Sequence, residues 1–140
     1  MPLRYDIRLE KVFAASPVKV WRALTDSDVL SRWLMKNDFI AQQGQSFTFR
    51  AEASFGWDGI VHCKVLEITP LEHLAISWVG APDMPETQVS WWLAQVGGGT
   101  KLVFSHTGFR GLKYSIIGRF LERGWTDMID RRLSAALAEE

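Results

Sequence analysis

Val89-Ser90-Trp91-Trp92-Leu93-Ala94-Gln95-Val96-Gly97-Gly98-Gly99-Thr100-Lys101-Leu102-Val103-Phe104-Ser105-His106 is the stretch whose reading decides the fold. Val89, Trp91 and Leu93 take alternate positions before the glycines, and Leu102, Phe104 and His106 take alternate positions after them. Successive side chains of a strand point to opposite sides, so each set shares one face. A two-residue loop at Gly97-Gly98 admits the positive φ of a primed turn. It places Leu93 opposite Leu102, Trp91 opposite Phe104 and Val89 opposite His106. A register shifted by one residue would set inward side chains against outward ones on both strands. The stretch is therefore an antiparallel hairpin with one bulky aromatic face, which needs a covering element or a ligand.

Working outward, the same face gathers contributions from earlier strands. Gln45 to Ala53 alternates, with Phe47, Phe49 and Ala51 on one side, and Gly56-Trp57-Asp58-Gly59 carries turn chemistry. Ile60 to Thr69 reads as a long strand stopped by Pro70, and Leu74, Ile76 and Trp78 are the inward set of the next. Near the N-terminus, Ile7, Leu9 and Phe13 alternate with Asp6, Arg8 and Glu10, with Lys11 breaking the pattern. Ser16 is a suitable N-cap and Pro17 a suitable first helical residue, so Val18 to Leu24 forms a short helix with Val20, Trp21 and Leu24 on its apolar side. Asp26 caps a second helix, Ser27 to Leu34, in which Leu30, Trp33 and Leu34 share a face.

The period changes after His106. Leu121, Trp125, Met128, Ile129, Leu133, Ala136 and Leu137 recur at spacings of three and four, which describes an amphipathic helix from about Ile116 to Glu139. Gly118 and Gly124 weaken it and invite a bend or a close approach to the sheet. The order is strand, two short helices, five strands and a long helix. This is an α+β class with about six strands, and a chain of 140 residues without repeats or linkers fits one domain over 1–140.

Composition removes several function classes. Sixteen Lys and Arg balance sixteen Asp and Glu, so no basic stripe marks a nucleic-acid site. No apolar run is long enough to span a bilayer, and Met1-Pro2-Leu3-Arg4-Tyr5-Asp6 lacks a signal-peptide apolar region, so a cytoplasmic protein is expected. The lone Cys63 excludes an internal disulfide.

Few side chains offer chemistry. His106 has inward parity near a strand end, where an imidazole could orient a ligand or move a proton; the alternative is a histidine satisfied by neighbouring polar groups. His62 and Cys63 are adjacent in a strand and face opposite sides, so they cannot jointly bind a metal. His73 falls in a loop. No metal site and no cofactor are expected. Cys63 shares parity with Val61 and Val65 and belongs to the inner wall. Glu67 and Glu86 are alternatives for inward acids, although a bulge in the long strand or exposure at the loop would put either on the surface. Trp92 has outward parity, which leaves a homodimer or another partner contact open beside a solitary exposed ring.

Several stretches together resemble a known family: Ala23-Leu24-Thr25-Asp26 with Arg32-Trp33, Val65-Leu66-Glu67-Ile68-Thr69-Pro70 with Ser77-Trp78, Gly97-Gly98-Gly99-Thr100-Lys101-Leu102 with Ser105-His106-Thr107-Gly108-Phe109, and Gly124-Trp125 followed by Leu133. They look like the family of activators of heat-shock-protein-90 ATPase homologues, within the START-like (SRPBCC) superfamily. The sequence departs from the usual pattern at Leu34 and at Gln42-Gln43-Gly44-Gln45. The resemblance implies a helix-grip fold, in which a curved antiparallel sheet wraps the long C-terminal helix and leaves an apolar cavity.

A hydrophobic small molecule, lipid-like, aromatic or polyketide-like, is then the expected partner. Phe47, Phe49, Val61, Cys63, Trp78 and Trp91 would wall the cavity from the sheet. Phe104, Trp125, Met128, Ile129 and Trp33 would complete it, with His106 as the polar contact. Two alternatives stand beside ligand binding: a cofactor-independent polyketide cyclase or dehydratase using His106, and a co-chaperone-like protein that activates a heat-shock-protein ATPase.

Overall fold

A computed structural model describes residues 3–54 and 56–139, so Met1 and Pro2 of the N-terminal reading lie outside the described residues. The chain opens with β1 (Arg4–Phe13), followed by α1 (Pro17–Thr25) and α2 (Ser27–Trp33). Ser16 caps α1 by accepting a hydrogen bond from the Lys19 amide, and Asp26 caps α2 by accepting from Asp28 and Val29. Then come β2 (Lys36–Asn37), β3 (Ser46–Arg50), β4 (Ile60–Thr69), β5 (His73–Val79), β6 (Thr87–Val96) and β7 (Gly99–Arg110). All pair antiparallel in the order β1-β7-β6-β5-β4-β3-β2.

The sheet thus has seven strands where about six were expected. The extra one, β2, holds only two residues, too short for any alternation to reveal. It is anchored by Asn37, whose side chain bonds Ser27 and the Met35 carbonyl. β3 stops at Arg50, and Ala51, expected inward, is exposed. Its amide pairs with the Gly59 carbonyl at the strand end. Gly59, at φ +79°, lies so close to the Ala51 carbonyl that no β-carbon fits there.

The β6–β7 hairpin has the expected register: Leu93 faces Leu102, Trp91 faces Phe104 and Val89 faces His106. Of the two loop glycines, Gly97 takes the positive φ, +55°. On β4 the register slips between Val65 and Glu67, a bulge that turns both Leu66 and Glu67 to solvent.

The inner face is closed by one helical rod: α3 (Gly111–Asp127), a π turn at Met128–Leu133, and α4 (Ser134–Glu139). The rod starts at Gly111, ahead of the expected Ile116. Its first turns present Leu112 and Ile116 to solvent, so burial periodicity does not report them. The irregularity falls at neither Gly118 nor Gly124. In an α-helix a row at i, i+4 drifts steadily around the axis, and the wider π turn takes up one residue and corrects the drift. Trp125, Ile129, Leu133 and Leu137, spaced by four, all remain buried as a result.

Gly118 sits where α3 crosses β1 and β7. A β-carbon there would lie 3.0 Å from the Tyr5 ring and 3.1 Å from the Phe109 ring. Gly118→Val is therefore expected to destabilise the fold by about 1–3 kcal/mol through overpacking, despite better helix propensity, and thermal denaturation would measure it.

Candidate functional site: an apolar pocket at one end of the grip

Most of the aromatic face is filled by its own side chains. A run of rings passes from Phe39 through Phe47, Phe49 and Trp78 to Trp125, with centroid separations of 5.0, 5.4, 5.6 and 5.4 Å. Trp125 then meets Phe104 at 4.5 Å and Trp91 at 6.2 Å. Ile129 and Leu133 of the π turn and Trp33 of α2 are likewise buried, and Trp33 is fixed by donating its indole N–H to the Ala23 carbonyl at 2.8 Å.

The open space lies to one side, as a pocket of about 400 Å³. That volume falls in the range of small-molecule sites. Its floor is Val61 of β4, Trp78 of β5 and Thr87 of β6, and its helical side is Ile117, Phe120, Leu121, Gly124, Trp125 and Met128. Phe109 closes the back. The rim is formed by Met35, by Trp57 of the β3–β4 loop, and by Gly80, Ala81, Met84 and Pro85 of the β5–β6 loop.

Two side chains tie that rim together. The Trp57 indole donates to the Gly80 carbonyl at 2.7 Å, and the Tyr114 hydroxyl of α3 donates to the Asp83 carbonyl at 3.2 Å. Three methionine thioethers and five aromatic side chains among the lining make a soft, polarizable wall.

Of the residues named from the sequence, Val61, Trp78, Trp125 and Met128 meet at this pocket. Trp33, Phe47, Phe49, Trp91, Phe104 and Ile129 are packed in the core beside it, and so is Cys63, whose thiol burial pushes well above its usual range. The remaining lining residues were not apparent from the sequence. Met35, Trp57 and the residues 80–85 sit on short connections with no period to assign a side. Ile117 and Phe120 precede the periodic row of the helix, and Leu121, its first member, reads from the sequence as covering the sheet and not as lining a pocket.

His106 lies behind the pocket wall, fully buried, and both ring nitrogens are engaged. The Trp125 indole N–H donates to Nδ1 at 3.1 Å, so Nδ1 carries no proton. Nε2 is 2.7 Å from the Thr87 hydroxyl oxygen, which itself donates to the Trp78 carbonyl at 3.0 Å. The only assignment that uses every group runs in one direction, from Trp125 N–H to His106, from His106 Nε2–H to Thr87, and from Thr87 to the Trp78 backbone. The imidazole is therefore neutral, and burial pushes its pKa down to about 3. A protonated ring would aim a second N–H at the indole N–H. His106 is a fixed link that braces three pocket elements, Thr87, Trp125 and Trp78.

The other candidates lie apart from the pocket. His73 stands on the outer face of the sheet, stacked on Trp92 at 4.5 Å and 3.4 Å from the Glu67 carboxylate. His62, Glu67 and Glu86 are exposed. Among the described residues no three His, Cys, Asp or Glu side chains converge as metal ligands, and no helix is long and apolar enough to cross a membrane.

This geometry can be set beside known proteins. Solved structures with the same architecture include protein MLL2253 from Mesorhizobium loti, 28% identical with a TM-score of 0.83, covering 96% of this chain and 98% of that one. Protein BH1534 from Bacillus halodurans is 26% identical with a TM-score of 0.81, covering 97% of this chain and 98% of its own. DynU16, a putative protein of the dynemicin biosynthetic locus, is 26% identical with a TM-score of 0.75 and covers 95% of this chain, which matches 47% of DynU16. No curated protein sequence matches. The family model described as activator of Hsp90 ATPase homolog 1-like protein matches residues 14–138. With that span covering nearly all of the helix-grip architecture, the chain belongs to the activator of Hsp90 ATPase homolog 1-like family.

Proposed function

We propose that the protein binds a neutral, hydrophobic small molecule, aromatic or polyketide-like, in the pocket between the end of the sheet and α3, and does not transform it. One observation carries this reading: among the described residues, none that lines the pocket is an acid, a base or a nucleophile of the Asp, Glu, His, Lys, Arg, Cys or Tyr type. Acid–base chemistry needs a titrating group within reach of the substrate. The nearest histidine, His106, has both nitrogens committed to the wall. Indole faces and thioethers instead suit a flat, polarizable guest held by burial and dispersion. A relative from a natural-product biosynthetic locus supports a small-molecule guest of that kind.

Trp57, Trp78 and Trp125 in the wall make intrinsic fluorescence a direct reporter. Titration with flavonoids, polyketides and fatty acids is expected to give saturable quenching or a shifted emission for the flat aromatic members. A flat response across the whole panel would overturn the proposal.

A further inference from the structure

The outer face of α3 beside the pocket is apolar and, among the described residues, has no cover. Leu112, Ile116 and Phe120, spaced at i, i+4 and i+8, are 68%, 46% and 67% exposed. They form one stripe along the helix. Isolated exposed apolar side chains need no explanation, whereas three large ones in a row mark a contact surface. Phe120 belongs both to this stripe and to the lining of the pocket, so the stripe runs directly into the pocket mouth.

Charge identifies the kind of surface that fits. Arg110, Lys113, Arg119 and Arg123 flank the stripe. Among the described residues no ion pair joins any of them to a carboxylate. Arg119 and Lys113, both exposed, instead lie over the rings of Tyr5 and Tyr114. Ile116, Arg119, Phe120 and Arg123 together line a shallow groove on this face. Of the two acids of α3, Glu122 accepts the Tyr5 hydroxyl at 2.6 Å and Asp127 is held by Arg131 at 2.9 Å. The acids nearest the mouth, Asp83 and Glu86, belong to the loop that forms its other rim.

We infer that the outer face of α3 docks on an anionic lipid surface, with Leu112, Ile116 and Phe120 entering the interfacial layer and the flanking Arg and Lys meeting the headgroups. Large apolar residues on one side with snorkelling cations beside them are the composition of an interfacial helix. A second copy of the chain fits this face poorly, because a two-fold contact would bring Arg119 and Arg123 of each copy toward those of the other. Docking here places the pocket mouth against the bilayer, so that an apolar guest passes between lipid and protein without crossing water. That route rests on the binding reading above, whereas attachment to lipid is measured without any guest.

The test is co-sedimentation of the protein with vesicles of phosphatidylserine and phosphatidylcholine, and separately with phosphatidylcholine alone. Binding is expected to the mixed vesicles only and to fall as salt is raised. Ile116→Glu, outside the pocket lining, is expected to abolish it, and Arg123→Gln to weaken it about five-fold. Circular dichroism melting checks that both variants are folded, and the fluorescence titration checks pocket binding independently. Wild-type protein that stays in the supernatant with mixed vesicles, equal binding to both vesicle types, or unchanged binding by Ile116→Glu would each overturn the inference. A dimer in sedimentation velocity that Ile116→Glu dissociates, with no vesicle binding, would assign the face to self-association instead.

Discussion

Replacing His106 with phenylalanine is expected to lower stability by about 2–4 kcal/mol, although the ring is of similar size and its site is apolar on several sides. The substitution strands the Trp125 indole N–H and removes the donor to Thr87, both on buried side chains. His106→Gln retains an acceptor and a donor, and is expected to recover part of the loss. The same residue sets a pH dependence. Its folded pKa, about 3, lies below the ordinary histidine value of 6.5, so the unfolded chain binds the extra proton over that interval. Stability is therefore full above about pH 6.5 and is lost as pH falls toward 3, at a slope approaching 1.4 kcal/mol per pH unit. Urea melts of the wild type and of His106→Gln across this range give the comparison. The wild-type curve should steepen relative to the variant below pH 6.5, and parallel curves would show that the buried ring does not titrate as its surroundings require.

Gly124→Leu is expected to have the opposite profile, abolishing binding in the pocket while leaving the fold intact or slightly firmer. Gly124 faces the pocket from α3, with no atom within 4 Å of the position a β-carbon would take. Removing a glycine from a helix interior contributes up to about 1 kcal/mol of stability. A leucine at this position projects into the space a guest needs. Loss of the fluorescence response with an unchanged or raised melting temperature is the expected pair of results. A retained response would mean that the guest sits elsewhere.

The parts of the fold read correctly from sequence are those governed by local rules. The β6–β7 register followed from alternation on two strands and a glycine pair between them, and both short helices followed from Ser16, Pro17 and Asp26 at their starts. The bounds of β4 followed from Gly59 and Pro70. What escaped was set by distance along an axis. Parity states which side of the sheet Phe104 or Trp91 occupies, but not how far the covering helix extends over it. Trp125, Ile129 and Leu133 fill the middle of the grip, and the free space falls at the end, where Thr87, Met84 and Leu121 meet. His106 was singled out rightly as an inward polar group. Its role as a brace depended on Trp125 and Thr87, which arrive from a helix and another strand, and no spacing in the sequence connects them.

The two ends of the sheet differ in when they can assemble. β3 through β7 form a meander in which each strand meets the one just made, but β1 has a single neighbour in the sheet, β7, and its Tyr5 lies beside Phe109, about a hundred residues further on. On the ribosome, the first strand must wait unpartnered while nearly everything else emerges, and its alternation of Arg4, Asp6, Arg8 and Glu10 along the outer side keeps that waiting segment charged. Pairing of this edge thus follows every other strand pairing of the sheet, and a chain halted before β7 would expose Ile7 and Phe13 with nothing to receive them.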